Sequence, residues 1–115
     1  MDNVFDNAKI AIGIRAARAA AGWNQQEFAT RMGVAKSTVA RIETLEMAAR
    51  GDFVIKAIRL FKDAGIDMDL SDEKELPFRI SELGINSAIN ALSDESNRRS
   101  DRKSVAATRI PDNDS

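Results

Sequence analysis

Positions 35–41 read Ala-Lys-Ser-Thr-Val-Ala-Arg. At helical spacing, Val39 and Ile42 share one side. That leaves Ala35, Lys36, Ser37, Thr38, Ala40 and Arg41 for the exposed side. Such a face does not make or break covalent bonds. Lys and Arg reach phosphate oxygens or the guanine edge, Ser and Thr donate to phosphates or touch bases, and Ala meets a thymine methyl. The chemistry offered is recognition of double-stranded DNA. Covalent chemistry has little support. The chain has no Cys and no His, so thiol catalysis, a zinc site and an ordinary Ser-His-Asp triad cannot be built. The carboxylates, Lys and Ser show no suggestive cluster. The expectation is a protein that is not an enzyme, with no catalytic residue, no metal ligands and no cofactor.

A recognition face needs elements to hold it. Residues from about Val4 to Ala21 read as a first helix, Ala-rich, with Ile10, Ile14 and Ala17 on one side. Gly22 suits its C-terminal cap. Asn24 can cap a second helix, Gln25 to Met32, with Glu27 completing a capping box. Gly33 ends that helix in a tight left-handed turn. The third helix runs from about Ala35 to Glu43. Phe28, Met32, Val34, Val39 and Ile42 have the spacing to share one core, and Ala29 is small where the second helix meets the third. Trp23 is expected to pack between the first two helices.

Residues 44–51 form a loop. Asp52 is expected to cap a fourth helix, Phe53 to Ala64, with Val54, Ala57, Ile58 and Phe61 as its apolar stripe and Gly65 as its stop. The period then changes. Ile66-Asp67-Met68-Asp69-Leu70 and Leu76-Pro77-Phe78-Arg79-Ile80 alternate around a polar turn and predict a β-hairpin. Pro77 confines its strand to an edge or a non-bonded position. Ile85, Ala88, Ile89 and Leu92 predict a short last helix. From Ser93 apolar residues become sparse, and a disordered tail is expected over 93–115.

The net charge of −1 looks unsuited to a nucleic-acid partner. It conceals an asymmetry. Between Lys9 and Lys62, ten basic side chains stand against four acidic ones, and the flanks are acidic. A local basic face matters more for phosphates than the average charge. With 43% hydrophobic and 30% charged residues over 115 positions, the composition is that of one small globular domain with an appendage. No apolar run approaches membrane-spanning length. The first ten residues do not read as a signal peptide, and the lack of Cys fits the cytoplasm.

The stretch from about Ile12 to Leu70 resembles the Cro/cI-type helix-turn-helix family, also called XRE-like or lambda-repressor-like. The resemblance rests on elements that agree in order and spacing. They are Ile14-Arg15 with Arg18, Gly22-Trp23-Asn24-Gln25, Phe28-Ala29, Met32-Gly33-Val34, Ser37-Thr38-Val39 and Arg41-Ile42-Glu43. It implies that Gln25 opens the second helix on a phosphate and buttresses Lys36. It implies that Lys36 and Ser37 approach base edges and that Arg41 reads a base or phosphate further along. It also implies that Glu43 pairs with Arg18 as a structural tie. The chain departs from the common pattern at Thr44-Leu45-Glu46, where many relatives carry a Gly-containing basic turn. Arg50 is positioned to replace that turn's phosphate contacts. The expected DNA-binding set is therefore Gln25, Gln26, Ala35, Lys36, Ser37, Thr38, Arg41 and Arg50.

The expected fold is mainly α, a lambda-repressor-like domain of four to five helices at residues 4–65, followed at 66–92 by a small hairpin and helix for dimerisation. The apolar material for a homodimer is Ile66, Met68, Leu70, Phe78, Ile80, Ile85, Ile89 and Leu92, since an open two-stranded sheet has edges that seek a partner. The function implied is a dimeric transcriptional repressor on a near-palindromic operator, cytoplasmic in a bacterium or phage setting. The alternative is the antitoxin of a toxin–antitoxin pair, with the residues after Ser93 binding the toxin. No membrane partner is expected.

Overall fold

Asn24, Gly33 and Gly22 set the path of the first three helices. The computed structural model describes residues 3–93. α1 spans Asn3–Ala21, α2 Gln25–Met32 and α3 Lys36–Glu43. Asn24 accepts from the Glu27 amide at 2.8 Å, and the Glu27 carboxylate accepts from the Asn24 amide at 2.8 Å, so the capping box is complete. Gly33 has φ 74°. Its amide reaches the Thr30 carbonyl at 3.2 Å and that of Val34 reaches Ala29 at 3.0 Å, a closure that requires a left-handed residue. α3 begins one residue later than expected. Ala35 is extended and occupies the cap without a side-chain hydrogen bond.

α4 spans Gly51–Asp63. Asp52 does not cap it. Arg50 holds the cap position, and Asp52 lies in the first turn, where its carboxylate accepts from the Phe53 amide at 2.9 Å. The chain at Arg50 is already extended, so the helix closes its first hydrogen bond, from Val54 to the Arg50 carbonyl, before Asp52 can serve as a cap.

β1 (Ile66–Met68) and β2 (Phe78–Ile80) pair antiparallel, with Ile66 opposite Ile80 and Met68 opposite Phe78. The strands are shorter than the alternation predicts. One further bond runs from the Asp69 amide to the Pro77 carbonyl at 2.9 Å, and Pro77 has no N–H with which to continue the ladder. α5 spans Glu82–Ser93. Ser93 is thus helical, and the rest of the expected tail lies outside the described residues.

One core joins these elements. Ile14 and Ala17 of α1, Phe28, Ala29 and Met32 of α2, Val39 and Ile42 of α3, Ala57 and Phe61 of α4, and Ile66 and Met68 of β1 are all buried in it. The hairpin therefore shares the core of the helical part. Ile66 and Met68, expected on an exposed dimerisation surface, are 1% and 3% exposed and are corrected to core residues. A strand that alternates buried, exposed, buried must cover something, and here it covers α1 and α4 of its own chain. Lys9 fastens the segment further. It is buried, and its Nζ donates to the carbonyls of Leu70 and Asp72.

Trp23 packs elsewhere than expected. Its ring stacks on Phe61 of α4, centroids 5.5 Å apart, and on Phe28 of α2 at 6.5 Å. Phe28 also stacks on Phe61 at 5.1 Å and meets Phe53 edge-on at 6.2 Å. This aromatic row draws α2 against α4.

Candidate nucleic-acid interface

The third helix is short, and propensity alone does not hold eight residues helical. Its position comes from both sides of the unit. Val39 and Ile42 sink into the core, 1% and 4% exposed. At its end, the buried Glu43 carboxylate takes three hydrogen bonds. Arg18 of α1 donates from Nε at 2.8 Å and from Nη2 at 3.0 Å, and Gln25 of α2 donates from Nε2 at 3.1 Å. The remaining Arg18 nitrogen, Nη1, donates to the Trp23 carbonyl at 3.0 Å. One carboxylate thus joins α3 to the end of α1 and the start of α2.

The exposed side of α3 follows from that anchoring. Ala35, Lys36, Ser37 and Arg41 are exposed, while Thr38 and Ala40 are half-buried. No carboxylate pairs with Lys36 among the described residues. Arg41 is paired only loosely, 4.0 Å from Glu46. Arg50 lies 3.4 Å from Asp52, and both side chains are exposed, so the pair is cheap to exchange for a phosphate.

Gln25 is half-buried and turned toward Glu43. A carboxylate only accepts, so the amide must present its NH₂ group there, leaving one N–H and the oxygen for other partners. The structure shows Glu43 as its partner and shows no buttress to Lys36. Gln26 is exposed and donates to the Thr30 hydroxyl at 3.2 Å. The sequence did not single out the Gln25–Glu43 bond. Adjacent Gln residues at a helix start carry no mark of which one turns inward.

The residues expected at a dimer surface are divided. Besides the buried Ile66 and Met68, Leu70 and Phe78 are half-buried, and Phe78 packs on the core. Ile80, Ile85, Ile89 and Leu92 remain exposed. Leu83, not singled out from sequence, is exposed beside them. α5 is mounted the reverse way round. Its small residues face inward, with Gly84 buried and Ser87, Ala88 and Ala91 half-buried. Its large apolar residues face out.

A feature common to three helix ends has one odd member. α1, α2 and α3 close through the same pair of backbone bonds, around Gly22, Gly33 and Leu45. Leu45 therefore has φ 66°, while half its surface is exposed.

No helix among the described residues is long and apolar enough to cross a membrane. No curated protein and no solved structure gives a significant match to the chain. The family model described as helix-turn-helix matches residues 14–62. That span opens at the buried Ile14 of α1 and closes within α4, so it contains α2, α3, the Glu43 tie and the aromatic row. Residues 14–62 thus match a helix-turn-helix model of the XRE, lambda-repressor-like type, which supports a DNA-binding transcriptional regulator.

Proposed function

We propose that the chain is a repressor that binds a near-palindromic operator as a homodimer, in the cytoplasm. α3 would enter the major groove and present Ala35, Lys36, Ser37, Thr38 and Arg41. Gln25, Gln26 and Arg50 would hold the flanking phosphates. Two copies would place their α3 helices in successive major grooves, about 34 Å apart. Repression follows from occupying the promoter.

The observation that carries this reading is the anchored, polar outer side of α3. Its apolar residues are buried and its end is held by Glu43, while Lys36 has no carboxylate partner among the described residues and Arg41 is held only loosely by Glu46. The homodimer rests on α5. Ile85, Ile89 and Leu92 lie on one lateral stripe, 51%, 53% and 68% exposed, and an apolar stripe on a rigidly seated helix suits a matching copy of itself. Selection of binding sites from random duplex DNA tests the proposal. A two-fold symmetric consensus supports a dimeric reader, and failure to enrich any sequence contradicts it.

A further inference from the structure

A cleft lies between α3, the loop that follows it and α4, and shares Thr38 and Arg50 with the proposed DNA contacts. Met32, Ile42 and Phe53 form its apolar floor. Met47 and Ala48 of the loop wall one side, and Thr38 of α3 opens into it. Its volume is about 300 Å³, at the small end of ligand pockets. Two cations stand at its rim. Lys56 donates from Nζ to the Met32 carbonyl at 3.0 Å, and no carboxylate pairs with it among the described residues. Arg50 is opposed by Asp52 at 3.4 Å. With Asp52, the rim carries one net positive charge.

We infer that this cleft binds a small organic monoanion with an apolar body, and that its occupation weakens DNA binding. The apolar floor removes the body from water. Lys56 faces the anionic group while keeping its bond to the end of α2. Met32 and Met47 are flexible thioethers, suited to the irregular shape of a varied ligand. The regulatory half rests on the proposed DNA reading. An occupant touches Thr38 and draws on Arg50, two members of the proposed contact set, so ligand and duplex compete for the same side chains. Thermodynamic reciprocity then requires each to lower the affinity of the other by the same factor.

The probe is 8-anilinonaphthalene-1-sulfonate, titrated into the full chain and followed by fluorescence. A saturable enhancement is expected, with one probe per chain. Ala48→Trp fills the cleft from an exposed loop position, and should weaken probe binding at least about tenfold with an unchanged circular dichroism spectrum. Lys56→Gln keeps a donor but removes the charge, and should weaken it several-fold. Ile89→Asp, on the apolar stripe of α5, should leave it unchanged. An enhancement that survives both cleft variants overturns the site, as does no enhancement at all. A saturating probe should weaken binding of the selected duplex; unchanged duplex affinity overturns the regulatory half. A chain that takes up the probe but enriches no DNA sequence contradicts the DNA reading and leaves the cleft assignment standing.

Discussion

The Arg18 guanidinium clasps the Glu43 carboxylate through two parallel hydrogen bonds, Nε to Oε2 at 2.8 Å and Nη2 to Oε1 at 3.0 Å. The acid side is almost wholly enclosed, 2% exposed against 20% for Arg18. Removing the arginine would leave a buried, uncompensated charge, so Arg18→Ala should destabilise the fold by about 3–5 kcal/mol. Arg18→Lys should recover only part of the loss, because an ammonium does not make the two-pronged contact. Urea unfolding measures both. An Arg18→Ala stability within experimental error of the parent would mean that the clasp contributes nothing.

Leu45 is the left-handed member of a closure that uses glycine at its other two occurrences. A left-handed L residue costs roughly 1–2 kcal/mol. A glycine there gives back about 0.4–1 kcal/mol through the greater freedom of the unfolded chain. Leu45→Gly should therefore stabilise the fold by about 0.5–1 kcal/mol, seen as a higher urea midpoint. A lower midpoint would show that the packing of the Leu45 side chain outweighs its backbone strain.

The mounting of α5 predicts how the proposed dimer should respond to substitution. Ile89→Asp alters an exposed side chain and should yield a folded monomer by light scattering. Gly84→Ala acts on the seat instead. Its Cβ would come 2.7 Å from the Gly65 carbonyl oxygen, so it should lower stability as well as association. A persisting Ile89→Asp dimer would place the interface elsewhere.

Acid should weaken the loop that follows β1. The Ser71 hydroxyl and amide both donate to the Asp69 carboxylate, at 2.5 and 2.9 Å, and hold its pKa below the ordinary value. The amides of Lys74 and Glu75 donate to Asp72 at 2.8 Å, with the same effect. A carboxylate whose pKa is lower folded than unfolded contributes its stability above the unfolded pKa. That contribution is lost as pH falls from about 4 through the folded value. The full chain should lose stability between about pH 5 and pH 3, and the Asp69→Asn/Asp72→Asn variant should lose less over that window. Both groups are exposed, so the difference should be small. Equal slopes would remove these two groups from the account.

The helical half of the fold was legible because local chemistry and the buried pattern agree there. Asn24 with Glu27, and Gly33 after Met32, mark the ends of α2 without reference to anything distant. Asp52 misled because a good capping residue in sequence does not decide which residue is extended in space. Ile66 and Met68 were harder still. Alternation shows that one side of a strand is covered, and it does not say whether α1 of the same chain or a second copy covers it. The inward turn of Gln25 toward Glu43 joins residues eighteen positions apart and leaves no local trace. Trp23 likewise finds Phe61 only once α4 has folded back.

The central claim is that the outer side of α3 reads DNA, and footprinting on a duplex recovered by selection tests it most directly. The parent chain should protect two half-sites related by two-fold symmetry. Lys36→Ala/Arg41→Ala removes two exposed side chains and leaves the Glu43 anchor intact. That variant should keep the parent's unfolding free energy within about 0.5 kcal/mol while losing the footprint. An unchanged footprint from the folded double variant would contradict the assignment of α3 as the reading helix.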